Sequence, residues 1–253
     1  SFNAGGTTTL AADLRQAVRN DQFELYYQPR VNLETDKVVG LEALIRWIHP
    51  DKGMIRPDEF LPLCENMGLM RSLGHRSIES ACEAINWLDK QGHGDVDVAV
   101  NVSFSQFQDD RFTEVVKGIV EASGIDPRRL EFELTESTVL NSPEDTKARM
   151  DELRFLGHQF SLDDFGTGFS QLSHMTELPI SALKIDRSFV IDVPGNKHQE
   201  AVCMMIVDMA RRMDLDVIAE GAEGEDQIQF LRSIQCQQVQ GYYYSPAIPL
   251  QQV

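Results

Sequence analysis

Apolar residues recur along this chain with two alternating periods. Phe23 to Val31 (FELYYQPRV) and Val38 to Trp47 (VVGLEALIRW) are rich in β-branched and aromatic residues and read as strands. The polar turn Glu34-Thr35-Asp36-Lys37 joins them as a hairpin. Ahead of them, Leu10 to Asn20 has the spacing of a short amphipathic helix. Behind them, Arg56-Pro57-Asp58-Glu59 opens a helix with proline early and acids in its first turn, and Gly68 ends it. Leu73 to Lys90 is a longer amphipathic helix closed by Gly92.

From there the pattern alternates. Strand-like runs occupy Val96 to Val102, Leu130 to Thr135, His158 to Asp163, Ala182 to Asp186, Asp216 to Glu220 and Gln238 to Tyr243. The helical stretches between them run to about Ser123, from Ser142-Pro143-Glu144-Asp145 to Gly157, over a short segment after the glycine loop, from His198 to Met213, and from Gly224 to Ile234. About eight strands, with helices alternating from the second onward, imply a parallel sheet, and eight such units suggest a closed α/β barrel. An open doubly wound sheet is the alternative, but no G-x-G-x-x-G follows a first strand to support it. There is no repeat, low-complexity segment or linker within residues 10–253, which read as one domain. Residues 1–9 read as a cloning scar or linker, and a chain that starts without Met reads as a domain cut from something longer.

Composition alters this picture in one respect. The chain has 253 residues, 42% hydrophobic and 25% charged, an ordinary globular balance. Its net charge of -17, however, repels nucleic acid and anionic membranes, and no basic stripe offsets it. An anionic substrate would need a site that supplies its own positive charge. Cys64, Cys82, Cys203 and Cys236 are scattered without a Cys-x-x-Cys pair and read as buried free thiols of a reducing cytosol. No apolar run approaches a membrane span and no signal peptide is evident. The expected location is cytoplasmic, either alone or as the cytoplasmic domain of a larger, membrane-anchored protein.

Candidate chemistry gathers at the strand ends. The second strand carries Glu42 and Arg46. The third ends with Asn101, the fourth with Glu133 and Glu136, the fifth with Asp163 and Asp164. Lys184 and Asp186 close the sixth, Glu220 and Glu223 the seventh, Gln240 the eighth. In a parallel barrel all carboxyl ends of strands meet on one face, where active sites sit. Acids concentrated in one mouth repel one another unless cations lie between them. The six histidines show no zinc spacing, so the expected ions are hard ones, Mg²⁺ or Mn²⁺. Blander readings go to other residues. Trp47 and Trp87 read as packing, and Met204, Met205, Met209 and Met213 as core or interface filler. Asp186 and Arg187 read as a structural ion pair, and Glu136 as a helix cap.

Seven segments follow one another in a familiar order: Glu42-Ala43-Leu44-Ile45-Arg46, Asn101-Val102-Ser103, Glu133-Leu134-Thr135-Glu136, Asp163-Asp164-Phe165-Gly166-Thr167-Gly168, Lys184-Ile185-Asp186-Arg187-Ser188-Phe189, Ala219-Glu220-Gly221 and Gln240-Gly241-Tyr242. In this the chain resembles the EAL family of bacterial cyclic di-GMP phosphodiesterases, from about Phe23 to Pro249. The resemblance implies a TIM-like (β/α)8 barrel modified by an early antiparallel strand, and hydrolysis of cyclic di-GMP to linear 5'-pGpG. It implies that Glu42, Asn101, Glu133 and Asp163 hold a first metal, and that Asp163 bridges to a second held by Asp164 and Glu220. Lys184 would orient the attacking water or the scissile phosphate, and Glu136 would brace the Asp-Asp-Phe-Gly loop. Glu220, Lys184, Asp164 and Glu136 thus form the implied catalytic set, and Gln28, Arg46, Glu223 and Gln240 the substrate contacts. Two Mg²⁺ or Mn²⁺ ions are expected, with Ca²⁺ inhibitory.

The resemblance further implies a homodimer and attached sensory or GGDEF-type domains, while the acidic charge and the lack of an apolar span argue for no nucleic acid polymer as partner and no direct membrane contact from this segment. The chain departs from the family pattern at Ala222 and Gly224 within Glu220-Gly221-Ala222-Glu223-Gly224, at Ser181, and at Tyr244-Ser245-Pro246-Ala247, which alters the rim expected around a guanine base. A catalytically inactive cyclic di-GMP receptor is the first alternative function, and a phosphodiesterase for another small diester the second.

Overall fold

The strands form one closed sheet. A computed structural model describes residues 4–167 and 177–253, with side chains from residue 10 onward. Its strands are β1 (Phe23–Asn32), β2 (Lys37–His49), β3 (Gly53–Ile55), β4 (Asp97–Asn101), β5 (Leu130–Thr135), β6 (Gln159–Phe165), β7 (Ala182–Ile185), β8 (Asp216–Glu220) and β9 (Gln238–Gln240). Around the barrel the order is β1, β2, β4, β5, β6, β7, β8, β9 and back to β1. β1 runs antiparallel to both its neighbours, and every other neighbouring pair within the barrel is parallel. The early antiparallel strand is therefore present. β3 lies outside the ring, as a short antiparallel extension of β2.

The helices among the described residues are α1 (Ala4–Arg19), α2 (Pro57–Asn66), α3 (Met70–Gln91), α4 (Phe104–Phe107), α5 (Phe112–Ser123), α6 (Glu136–Asn141), α7 (Pro143–Phe155), α8 (Arg187–Val190), α9 (Lys197–Arg212) and α10 (Glu225–Ser233). Local chemistry sets their ends. Pro57 and Pro143 occupy the first helical turn, where a missing N–H costs nothing. Gly92 and Gly124 close α3 and α5 in the left-handed conformation. Some boundaries differ from expectation. α1 begins at Ala4 rather than Leu10. The helix expected to run to Ser123 is two, because Ser103 and Gln106 form a capping box that starts α4 separately. α6 is additional, and its cap is Thr135, whose side chain accepts from the Thr138 N–H, rather than Glu136. The glycine loop from Gly168 and the short helix expected after it lie outside the described residues.

Strand alternation sorts the side chains. On β5, Leu130, Phe132 and Leu134 pack into the main apolar cluster, while Glu131 and Glu133 occupy the alternate positions. Phe160 and Leu162 on β6, and Leu183 and Ile185 on β7, join the same cluster. A satellite cluster of Leu14, Phe23, Trp47, Phe60, Cys64 and Leu73 ties α1 and α2 to the outer end of the hairpin. Trp47 is core, as expected, and Trp87 packs partly buried against the main cluster. Met209 and Met213 also pack there, but Met204 and Met205 are exposed and fill no core. All four cysteines are buried free thiols. Among the described residues, no helix is long and apolar enough to cross a membrane.

Candidate metal centre

The site is assembled by strand register. Gln28 lies opposite Glu42, Asn101 beside Glu133, Thr135 beside Asp163, and Glu220 beside Gln240. β6 carries an irregularity between Leu162 and Phe165, and there Asp164 adopts a φ of 56°. That left-handed backbone is costly for a non-glycine residue, and such strain concentrates at functional sites. The kink places Asp163, Asp164 and Glu220 so that one carboxylate oxygen of each lies within 4.8 Å of the others.

Lys184 is the centre of the arrangement. It is fully buried. Its Nζ donates to Glu133 Oε2 at 2.6 Å and to Glu220 Oε1 at 2.7 Å, with Glu42 Oε2 at 3.4 Å and Asp163 Oδ1 at 3.5 Å. Four carboxylates from four strands thus surround one ammonium. Burial alone would lower the lysine pKa, but Glu133, Glu220, Glu42 and Asp163 together raise it well above its ordinary value. Burial and the neighbouring Glu42 charge push Glu133 well up. Burial pushes Glu220 up to about 8, against the pull of Lys184 and with the repulsion of Asp163. Glu42 goes the other way. Burial opposes its ionisation, but the Lys184 charge and hydrogen bonds from Gln240 and Asn101 outweigh it. Asp164 is raised by burial and by Asp163.

The donor set fits divalent cations of the hard kind: carboxylate and amide oxygens, with no imidazole or thiolate. Charge supports the same conclusion. Glu42, Glu133, Asp163 and Glu220 all lie within 4.0 Å of the one Lys184 ammonium, and Asp164 stands beside Asp163, so among the described residues the mouth carries more carboxylates than the lysine can offset and further cations would relieve the excess.

Amides frame the acids. Asn101 Nδ2 donates to Glu42 Oε1 at 2.7 Å. Gln240 Nε2 donates to Glu42 Oε2 and, at 3.0 Å, to Gln28 Oε1. Gln28 in turn donates to the Ser245 carbonyl at 3.0 Å. A cavity of about 300 Å³ opens over the cluster, bounded by Gln28, Glu42, Asp163, Glu220, Glu223 and Gln240. A larger one of about 390 Å³ beside the start of α7 has no buried residue in its wall, and its acids, Glu144, Asp145 and Glu177, are all exposed.

Two expected positions stand apart. Arg46 is not in the cavity wall; its guanidinium lies over the Tyr26 ring, 5.9 Å from the centroid, and donates to the Ile45 carbonyl at 3.0 Å. Glu136 is buried at the start of α6, and the loop it was expected to brace runs outside the described residues. The ion pair expected between Asp186 and Arg187 does not form. Asp186 instead caps α8 through the Ser188 N–H, and Arg187 Nη2 pairs with Glu223 Oε1 at 2.7 Å. Arg187 and Tyr242 line the cavity and were not expected to. Arg30 and Glu131, directly beneath, were also missed. Both sit at period two from expected site residues, Gln28 and Glu133, and that spacing was the available signal.

The comparisons with known proteins agree on one family. The EAL domain family model matches residues 11–247. A Pseudomonas aeruginosa protein named cyclic di-GMP phosphodiesterase NbdA is 40% identical over 238 residues, covering 94% of this chain and 30% of the relative. The bifunctional diguanylate cyclase/cyclic di-GMP phosphodiesterase MucR of the same species is 37% identical over 252 residues, covering 99% of this chain and 37% of the relative. This chain therefore spans about a third of the length of those curated relatives. A solved structure described as a PaMucR phosphodiesterase in complex with c-di-GMP superposes with a TM-score of 0.93 at 36% identity, covering 96% of this chain and 99% of that one. The EAL enzyme Bd1971, with cAMP and cyclic di-GMP bound, gives 0.93 at 32% identity, covering 100% of this chain and 69% of that one. With its antiparallel first strand, its acid-lined mouth and these matches, the chain belongs to the EAL domain family.

Proposed function

We propose that this domain is a metal-dependent phosphodiesterase that hydrolyses one phosphodiester of cyclic di-GMP to give linear 5'-pGpG. The observation that carries this reading is the convergence of Glu42, Glu133, Asp163 and Glu220 on the buried Lys184 ammonium. Relatives and a solved structure whose names include this substrate support it.

Glu42, Asn101, Glu133 and Asp163 would hold one divalent ion, and Asp163, Asp164 and Glu220 a second, with Mg²⁺ or Mn²⁺ matching the oxygen donors. Held there, divalent ions would supply activation of water at neutral pH and neutralisation of charge on the phosphate. The chain's own groups do the rest. Lys184 holds the carboxylates together and presents a fixed positive charge to the phosphate or the attacking water. Asn101 and Gln240 fix the Glu42 carboxylate by hydrogen bonds to each oxygen. Arg187 and Glu223 form a polar rim across the cavity mouth. Gln28 and Gln240 offer amides for substrate contact, and Glu136 is assigned a bracing role towards the glycine loop.

Incubation with cyclic di-GMP and Mg²⁺ or Mn²⁺, followed by chromatographic separation, tests the assignment. Appearance of 5'-pGpG is expected. Tight binding without turnover would make the domain a receptor, and neither binding nor turnover would point to another diester. The greater length of the relatives supports the expectation of attached domains, and the diguanylate cyclase in the name of MucR supports a cyclase domain of the expected GGDEF type among them. Size-exclusion chromatography tests the expected homodimer.

A further inference from the structure

Beneath the acid cluster lies a second buried cation for which the chemistry above has no use. Arg30 projects from β1 into the barrel and is 3% exposed. Its Nη2 donates to Glu131 Oε2 at 2.8 Å, and its Nη1 lies 3.9 Å from Glu133 Oε1. Glu133 is therefore held between two cations. Its Oε2 accepts from Lys184 at 2.6 Å, while its Oε1 has no hydrogen-bond partner and is the oxygen nearest Arg30. β2 makes room for the guanidinium. Arg30 pairs with Gly40, where a Cβ would lie 2.5 Å from Nη2 and 2.6 Å from Nε. A larger residue there would force the guanidinium to shift.

A buried ion pair is a poor stabiliser, because stripping water from two charges offsets their attraction. Arg30 is better explained by its effect on its neighbour. We propose that Arg30 is a positioning residue for the metal cradle, holding Glu133 from below so that Lys184 engages only one of its oxygens; this rests on reading the cluster as a metal centre. Without Arg30, Lys184 is the remaining cation near Glu133 among the described residues, and the unpartnered oxygen turns toward it. An incoming divalent ion then competes with a tighter lysine–carboxylate pair.

Arg30→Met keeps the apolar stem and removes the charge. Mn²⁺ binding measured by calorimetry without substrate is expected to weaken about 10–100-fold, the usual cost of losing a group that orients a metal ligand. At saturating Mn²⁺ the KM for cyclic di-GMP should stay near the wild-type value, and Arg30→Lys should recover part of the lost affinity. If Arg30 acted only as a nearby positive charge, its removal would tighten Mn²⁺ binding, so the direction of the change separates the two roles. Where Arg30→Met folds poorly, the double variant Arg30→Met/Glu131→Gln also removes the acid that Arg30 pairs with and should show the same loss. A folded variant with unchanged or tighter Mn²⁺ binding overturns the proposal, as does a lower melting temperature with unaltered affinity. A wild-type protein that binds no Mn²⁺ overturns this and the metal-centre reading together. Mn²⁺ binding without hydrolysis removes only the phosphodiesterase reading and leaves the affinity comparison decisive.

Discussion

The two faces of β5, β6 and β7 are made by the same strands and have opposite chemistry. Outside, Leu130, Phe132, Leu134, Phe160, Leu162, Leu183 and Ile185 pack against the helices with almost no exposure. Inside, Glu131, Glu133, Ser161, Asp163 and Lys184 fill the alternate positions. An apolar face stabilises the fold roughly in proportion to the area it removes from water. A charged interior costs desolvation and is retained for what it holds. In this barrel, stability and chemistry are thus separated by one-residue steps along each strand.

That division can be broken from either side. The largest effect is expected from Glu42→Ala. Turnover should fall to background while the melting temperature changes little, because the outer packing is untouched; retained hydrolysis would remove Glu42 from the metal set. Next comes Phe132→Ala, which opens a cavity among Phe112, His158 and Phe160. It should cost about 3–5 kcal/mol in denaturant unfolding, yet leave kcat of the folded fraction near wild type. A matching loss of kcat would show that the two faces are coupled. Replacing Mg²⁺ with Ca²⁺ probes the interior without mutation. Substrate binding should persist and hydrolysis be inhibited, since the larger ion accepts a looser coordination shell; full activity in Ca²⁺ would contradict the two-metal assignment.

The smallest effect concerns His158, buried beside Phe132 with its Nδ1 3.2 Å from the Leu130 carbonyl. Burial lowers its pKa below the ordinary value near 6.5. The unfolded chain therefore takes up the proton first, and this contribution to stability is lost as pH falls below about 6.5. Denaturant midpoints at pH 7.5 and 5.5 should converge slightly in His158→Phe relative to wild type. An unchanged pH dependence would assign the acid sensitivity elsewhere.

Much of this arrangement was legible in the chain. Leu130 to Thr135 and Asp216 to Glu220 declare themselves as strands because short runs carrying Phe132 and Thr135, or Val217 and Ile218, are bounded by helix signals, and both occur with those limits. The acids at their ends could be grouped because a parallel barrel sends its strand ends to one mouth. What escaped depends on packing across the barrel. Arg30 reads as one more polar residue on a hairpin, since nothing local announces that Gly40 vacates the space for it. Arg187 neighbours Asp186 in sequence, yet β8 brings Glu223 within reach and the nearer acid is taken up by a helix cap. β3 is too short to carry a periodic signal of its own.

One seam remains thin. β1 meets β9 through only two register pairs, and the ring is supplemented there by the chain's last segment, whose Ile248 exchanges both backbone hydrogen bonds with Tyr27. The same segment offers its Ser245 carbonyl to Gln28, which is hooked to Gln240 and through it to Glu42. The segment around Ile248 thus connects the seam, through a string of amides, to a carboxylate of the acid-lined mouth.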